Sequence, residues 1–315
     1  MSAVVVAAGF GGPEVLSVID APTPEPGPGE IVIAVRAAGV NPIDYKAYSG
    51  AFGTDPASLP MRLGAEAAGV VTAVGPDAVG PAGPIAVGDE VIAYRASGAY
   101  ATELLVDASE AIPKPAAVTW EQAGGLLLTG ATATHALETA DVGADDTVLI
   151  HGASGGVGLF AVQLAAERGA TVIATASPAK HELLRELGAI PVAYGDGLAD
   201  RVRDVAPEGV DAALDLIGSD EAIETSLELV GCRDRIVTIA AFGRAADDGI
   251  KLIGGGPGAD PGTEIRENAR LPLAAAVAEG RLRVVVAGTY PLADAAAAHR
   301  DIMAGHSTGK IVLLP

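Results

Sequence analysis

Residues Thr147 to Gly169 read TVLIHGASGGVGLFAVQLAAERG, and a second apolar run, Thr171 to Thr175, follows at once. Thr147 to His151 is short, apolar and rich in β-branched residues, as a buried strand should be. It breaks into Gly152-Ala153-Ser154-Gly155-Gly156-Val157-Gly158. Val157, Phe160, Ala161, Leu164 and Ala165 then recur at helical spacing, and Glu167-Arg168 lead to a terminating Gly169. Glycines in such a strand–turn–helix–strand unit let the backbone turn tightly and approach a pyrophosphate. The anion then rests on the amides at the helix N-terminus. A dinucleotide is the expected ligand, with Ser154, Gly155, Gly156 and Val157 as its expected contacts.

Two other glycine loops are excluded. A nucleoside-triphosphate loop needs Lys-Ser or Lys-Thr after its last glycine, and Leu159-Phe160 follows here. A short-chain reductase would carry a Tyr-x-x-x-Lys pair, and neither Tyr194 nor Tyr290 has a lysine four residues on. The motif lies almost halfway along 315 residues, which leaves about one domain of sequence in front of it.

That leading stretch reads as β structure with turns. Val4 to Val6 and Val15 to Ile19 flank Gly9-Phe10-Gly11-Gly12-Pro13 as a hairpin would. Strands are expected at Ile31 to Val35, Val70 to Val74, Glu90 to Tyr94 and Tyr100 to Val106, with a short helical piece opening at Asn41-Pro42. After Pro113-Lys114-Pro115 the texture changes, and Thr119 can cap an alanine-rich helical stretch running to about Ala140. From Thr147 to about Gly258 apolar runs and helical periods alternate, which implies a doubly wound parallel sheet. Strand runs at Arg283 to Ala287 and Lys310 to Leu314 return after it. The expected organisation is α/β: a β domain from residues 1–118 and 266–315, interrupted by a nucleotide-binding domain at 119–265.

The formal charge of −20 excludes nucleic acid and anionic membrane surfaces as main partners, since both demand a basic patch. No apolar run approaches the roughly 20 residues of a membrane-spanning helix. Met1-Ser2-Ala3-Val4 lacks a basic stretch before its apolar residues and reads as a first strand, not a secretory leader. A single cysteine, Cys232, excludes an internal disulfide and fits a reducing, cytoplasmic location.

Further motifs run the length of the chain: Asn41-Pro42-Ile43-Asp44-x-Lys46, Gly64-x-Glu66-x-x-Gly69, Gly88-Asp89-x-Val91, Gly130-Ala131-Thr132-Ala133, the glycine turn, Tyr290-Pro291-Leu292, Ala298-His299 and Gly309-Lys310-Ile311-Val312-Leu313. In this order and spacing the chain resembles the medium-chain dehydrogenase/reductase superfamily, in its zinc-free quinone oxidoreductase (zeta-crystallin-like) branch. The resemblance implies a GroES-like β domain around a Rossmann domain and an NADPH cofactor. It also implies a small-molecule quinone or enone substrate, and pairing of sheet edges near Lys251 to Ile253 in a homodimer. By the same resemblance Asn41 and Thr132 lie beside the nicotinamide, Ala240, Phe242 and Gly243 line the opposite wall, and Tyr45 and Lys46 face the cleft. Tyr45 is then a candidate proton donor, with solvent as the alternative.

Zinc-dependent relatives bind their metal through a cysteine, the histidine of Gly-His-Glu and a further ligand. Here Ala65 stands in the middle of that tripeptide, and one cysteine cannot build a thiolate site. The expectation is therefore no metal. His135, His151, His181, His299 and His306 are scattered without ligand spacing and read as structural hydrogen-bonders, and Glu66 as a carboxylate bonded within its own domain. An NAD-selective site places an acid about 20 residues beyond the glycine turn. From Arg168 to His181 there is none, and the second strand ends in Thr175-Ala176-Ser177 with Lys180 close behind. A hydroxyl and an ammonium suit a 2′-phosphate, and the resemblance adds Tyr194 to that edge. The leading reading is NADPH-dependent reduction of quinones or carbonyl-activated alkenes. The alternatives are an enoyl-thioester reductase and a non-catalytic, crystallin-like NADPH-binding protein.

Overall fold

The computed structural model describes residues 1–256 and 258–315. The chain forms two units, Met1–Leu128 with Arg270–Pro315, and Thr129–Ala269. Sequence texture put the junctions near 118 and 265. The first lies later because helix Trp120–Gly124 belongs with the first unit: a Cβ on Gly124 would stand 2.8–2.9 Å from Ala37 atoms of strand Glu30–Val40. Arg270 is tied to that unit too, donating to Ser109 O at 2.9 Å and Glu110 Oε2 at 3.0 Å.

In the first unit a seven-stranded sheet runs in the order Ala111–Pro113, Glu90–Tyr94, Glu66–Val74, Glu30–Val40, Lys310–Leu314, Val286–Pro291, with Glu103–Asp107 also pairing on Glu30–Val40. Every pairing is antiparallel except Val286–Pro291 with Lys310–Leu314. The late strand enters beside an early one, with Ile311 opposite Val40 and Leu313 opposite Ala38. The expected hairpin is present, Ser2–Ala7 pairing antiparallel with Leu16–Ala21. Apolar side chains from both ends of the chain, among them Ile31, Ile33, Val71, Ile311 and Leu313, share one core.

Among the described residues the second unit holds six parallel strands: Thr147–His151, Thr171–Thr175, Ala189–Val192, Ala212–Asp215, Ile236–Thr238 and Lys251–Leu252. Numbered in chain order, they lie 3-2-1-4-5-6. That order reverses direction between the first and fourth strands, and the crevice at their carboxyl ends is where such sheets take a ligand. Local boundaries differ from the sequence texture. Val192 to Tyr194 has the pattern of a strand, but the third strand is Ala189–Val192 and Tyr194 lies beyond it. The alanine-rich stretch is two helices, Trp120–Gly124 and Leu127–Thr139. Helix Thr263–Ala278, with Pro272 inside it, was hidden because proline ordinarily ends a helical pattern.

Candidate cofactor site and a buried polar cluster

The glycine turn has the geometry that phosphate approach requires. Gly152 takes φ +70°, and a Cβ on Gly158 would sit 2.4 Å from Gly152 O, so only glycine lets the helix start this close to the strand. Helix Gly156–Glu167 makes its first bond from Leu159 N to Gly155 O at 3.0 Å. The amides of Gly156, Val157 and Gly158 therefore have no carbonyl inside the helix to meet. Ser154, Gly155, Gly156 and Val157 are all half-buried, reachable yet shielded, which fits the head of an anion site.

Next to this turn, the loops after the fourth and fifth strands are locked by two residues that sequence reasoning did not single out. Asp215, fully buried, accepts from Ile217 N (3.2 Å) and Gly218 N (2.8 Å) on one oxygen and from Thr238 Oγ1 (2.6 Å) on the other. Thr238 Oγ1 in turn accepts from Ala240 N (3.1 Å) and Ala241 N (2.9 Å). A carboxylate with three donors holds both loops without a bare charge. The only trace in the sequence is an acid ending an otherwise apolar run. Ile217 and Phe242 remain solvent-accessible at this edge, at 60% and 36%.

On the other side of the turn, Thr175 pairs with Val192, so Ser177 and Tyr194 each stand two residues past the carboxyl ends of neighbouring strands. Ala176 N bonds Val192 O at 3.1 Å and Lys180 N bonds Ser177 O at 2.9 Å, folding Ser177 and Lys180 into one tight turn. Ser154 to Val157, Ser177, Lys180, Tyr194, Ala240, Phe242 and Gly243 thus follow the carboxyl ends of one parallel sheet.

Thr132 is elsewhere in the same unit, on helix Leu127–Thr139 and nearly buried, where its Oγ1 accepts from Arg266 Nη1 at 3.1 Å. Arg266 Nε also donates to His135 Nδ1 (3.2 Å), which leaves the His135 proton on Nε2 facing Asp260 Oδ2 at 3.3 Å. Burial, helped by the Arg266 charge, holds His135 below its ordinary value.

In the first unit, Asn41 caps helix Pro42–Tyr48, which carries Asp44, Tyr45 and Lys46. Its amide is committed: Nδ2 donates to Glu66 Oε1 (3.1 Å) and Gly39 O (3.2 Å), and its oxygen accepts from Lys310 Nζ. Lys310 Nζ also reaches Glu66 Oε1 (2.9 Å) and Val40 O (3.1 Å), while Glu66 Oε2 accepts from Leu128 N at 2.8 Å. Glu66 is thus bonded within its own unit, as expected. A Cβ on Gly39 would come within 2.4 Å of Glu66 Oε1, so glycine leaves the room for this pair.

A second set of bonds leaves the same helix. Asp44 Oδ2 accepts from Asn41 N (2.8 Å) and Tyr100 Oη (2.9 Å). Since the Tyr100 proton points at Asp44, its oxygen accepts from His299 Nε2 at 3.2 Å. His299 Nδ1 is then bare and accepts from Tyr48 Oη at 2.8 Å. Burial pushes the Asp44 carboxyl up to about 6 against the bonds from Tyr100 and Asn41, and pushes His299 down to about 4. Burial, with the Asp44 charge, raises both tyrosines above their ordinary range. Tyr45 and Lys46 are half-buried, and burial raises the Tyr45 phenol. Among the described residues no group of three or more His, Cys, Asp or Glu is placed to hold a metal ion. The Glu66 carboxylate is instead met by an ammonium.

Two family models match: "Alcohol dehydrogenase GroES-like domain" over residues 27–135 and "Zinc-binding dehydrogenase" over residues 187–313. The chain is 34% identical over 326 residues to a quinone oxidoreductase of Pseudomonas aeruginosa, covering 98% of each. It is 36% identical over 222 residues to the synaptic vesicle membrane protein VAT-1 homolog of Mus musculus, a match spanning 69% of this chain and only 53% of that protein. Among solved structures, the Escherichia coli quinone oxidoreductase complexed with NADPH superposes with a TM-score of 0.87 at 30% identity, over 99% of this chain and all of that one. Fold, glycine turn and near full-length identity agree: the chain belongs to the medium-chain dehydrogenase/reductase superfamily, in its quinone oxidoreductase branch.

Proposed function

We propose that this protein is an NADPH-dependent oxidoreductase that reduces quinones or carbonyl-conjugated alkenes without a metal. The observation that carries the reading is the acid-free carboxyl end of the second strand, where Ser177 and Lys180 share a turn beside the half-buried glycine loop. The full-length likeness to quinone oxidoreductases, one of them complexed with NADPH, supports the same choice.

When bound, the reduced nicotinamide supplies the hydride. The residues of this chain bind and orient it. Amides of Gly156 and Val157, behind Ser154 and Gly155, take the pyrophosphate, and Ser177, Lys180 and Tyr194 take the 2′-phosphate. Ala240, Phe242 and Gly243, on loops fixed by Asp215 and Thr238, form an apolar wall. Asn41, its amide held in one orientation by Lys310 and Glu66, and Thr132 are assigned to the nicotinamide side, with Tyr45 and Lys46 toward the acceptor. With the cofactor bound, an acceptor would gain a hydride from it and one proton from a side chain or solvent, a quinone thereby becoming a hydroquinone. Positioning supplies the rate. With Lys310 neutralising Glu66 and Ala65 in place of a histidine, the pattern favours chemistry without zinc.

The test is NADPH oxidation against a panel of quinones, enals and enoyl thioesters, before and after dialysis against a strong chelator. Turnover with quinones or enals that survives chelation is expected. Turnover restricted to enoyl thioesters would move the substrate assignment, and loss of activity restored by zinc would overturn the metal-free reading.

A further inference from the structure

The third strand of the parallel sheet runs into Ala193-Tyr194-Gly195-Asp196-Gly197 before helix Leu198–Val205. Gly195 and Gly197 take φ +101° and +78°, in the region glycine alone enters readily. Such a loop has many conformations to lose. Tyr194, 60% exposed, is not buried deeply enough to anchor it. What fixes the loop is one guanidinium. Arg201 donates from Nε to Ala193 O (3.0 Å), from Nη2 to Gly195 O (2.7 Å) and from Nη1 to Asp196 O (2.6 Å). From helix Asp220–Leu229, the Glu221 carboxylate takes the Gly195 amide at 2.9 and 3.2 Å. The backbone is pinned on both sides of Tyr194, by charge-assisted bonds of the strong kind.

Tyr194, with the backbone on either side of it so held, stands level with Ser177, each two residues past the paired Thr175 and Val192. We infer that Arg201, assisted by Glu221, is a positioning residue that sets the Tyr194 ring at the end of the second strand and thereby sets the preference for the phosphorylated cofactor. This rests on the reading of that edge as the 2′-phosphate site. Neither residue touches the cofactor in this account. They act by keeping the loop in its binding-competent form, and a loop competent a tenth of the time would weaken binding about tenfold.

The experiment is calorimetric titration of NADPH and of NADH into wild type, Arg201→Ala, Arg201→Lys, Glu221→Ala, Tyr194→Ala and the Arg201→Ala/Tyr194→Ala pair. Arg201→Ala is expected to raise the NADPH dissociation constant about tenfold while NADH changes by less than about twofold. Arg201→Lys, which keeps a charged donor for one carbonyl, should fall between, and Glu221→Ala should follow Arg201→Ala in direction. Because the effect runs through the ring, Arg201→Ala should add nothing in the Tyr194→Ala background. Losses that add in the double variant, or an Arg201→Ala and Arg201→Lys indistinguishable from wild type while Tyr194→Ala is weakened, overturn the positioning role. Should Tyr194→Ala itself bind NADPH as well as wild type, the assignment of Tyr194 to the 2′-phosphate fails, and the inference with it, while Lys180→Ala tests the edge itself.

Discussion

Lys310 Nζ lies 2.9 Å from Glu66 Oε1, with the two side chains 3% and 0% exposed. Charges this deep persist only when paired and hydrogen-bonded, and every oxygen and proton of this pair has a protein partner. The pair joins a strand near the start of the unit to one near its end, and it fixes the Asn41 amide between them.

Removing one partner should therefore cost more than removing both. Lys310→Met leaves Glu66 buried without a counter-charge and is expected to destabilise by about 3–5 kcal/mol. Adding Glu66→Leu should recover most of that loss. Urea unfolding of the single and double variants decides the point, and a double variant worse than Lys310→Met would contradict it.

Acid stability should show the buried polar groups with opposite signs. Burial lowers His151 and His299 to about 4, so between there and their ordinary range the unfolded chain binds more protons and stability rises with pH. Asp44, raised to about 6, acts the other way: the folded chain holds the extra proton between the ordinary carboxylate range and 6, and stability falls with rising pH. His135, also held down by burial and the Arg266 charge, adds to the histidine side, so the three histidines outweigh Asp44 and stability rises with pH near pH 5. Asp44→Asn should steepen that slope by up to about one proton, roughly 1.4 kcal/mol per pH unit. A slope unchanged or shallower in the variant, read from urea midpoints between pH 4 and 6.5, would sink this account.

Cofactor preference should respond to single charges. A charge-assisted bond contributes roughly 1.5–3 kcal/mol, so Lys180→Ala should weaken NADPH about ten- to a hundredfold and leave NADH nearly unaffected. Ser177→Asp should shift preference further toward NADH by repelling the phosphate. Michaelis constants for both cofactors report this, and equal use of NADH by the wild type would remove Lys180 from the site.

Tyr45→Phe is expected to lower kcat less than tenfold. Burial raises the phenol above its ordinary value, which makes it a poorer acid at neutral pH. A hundredfold loss or more would identify Tyr45 as the proton donor.

The strand Lys251–Leu252 ends the parallel sheet, and on its outer side Asp260 N donates to Leu252 O at 2.9 Å and Asp260 O accepts from Gly254 N at 2.8 Å, which leaves Lys251 at the edge. Sheet edges of this kind associate. Sedimentation at micromolar concentration should give twice the chain mass, and a monomer there would count against edge pairing.

Local features of this chain were legible from sequence, and distant partners were not. The glycine turn, the alternation of strands and helices and the first hairpin all depend on residues a few positions apart. Periodicity and turn chemistry report such features directly. Asp215 and Thr238 gave no pattern because what they hold is the geometry of two loops, not a motif. Arg201 lies eight residues from the carbonyl it caps, yet nothing in AYGDGLADR marks a guanidinium that folds back. Glu66 could be read as bonded within its unit, but its partner lies 244 residues on. The unit boundaries fall beside or inside helices, so no change of composition marked them.

The entry of Lys310–Leu314 beside Glu30–Val40 also sets an order of events during synthesis. Residues 129–269 carry their whole sheet. The first unit is not complete until late, since its central strand lacks a neighbour and Glu66 its counter-ion until residue 310 has been made. At roughly 5–20 residues per second, the 244 residues between the two charges take about 12–50 s to translate. For that interval the nascent chain carries an open sheet edge and a carboxylate without its counter-ion, which leaves the early strands open to mispairing.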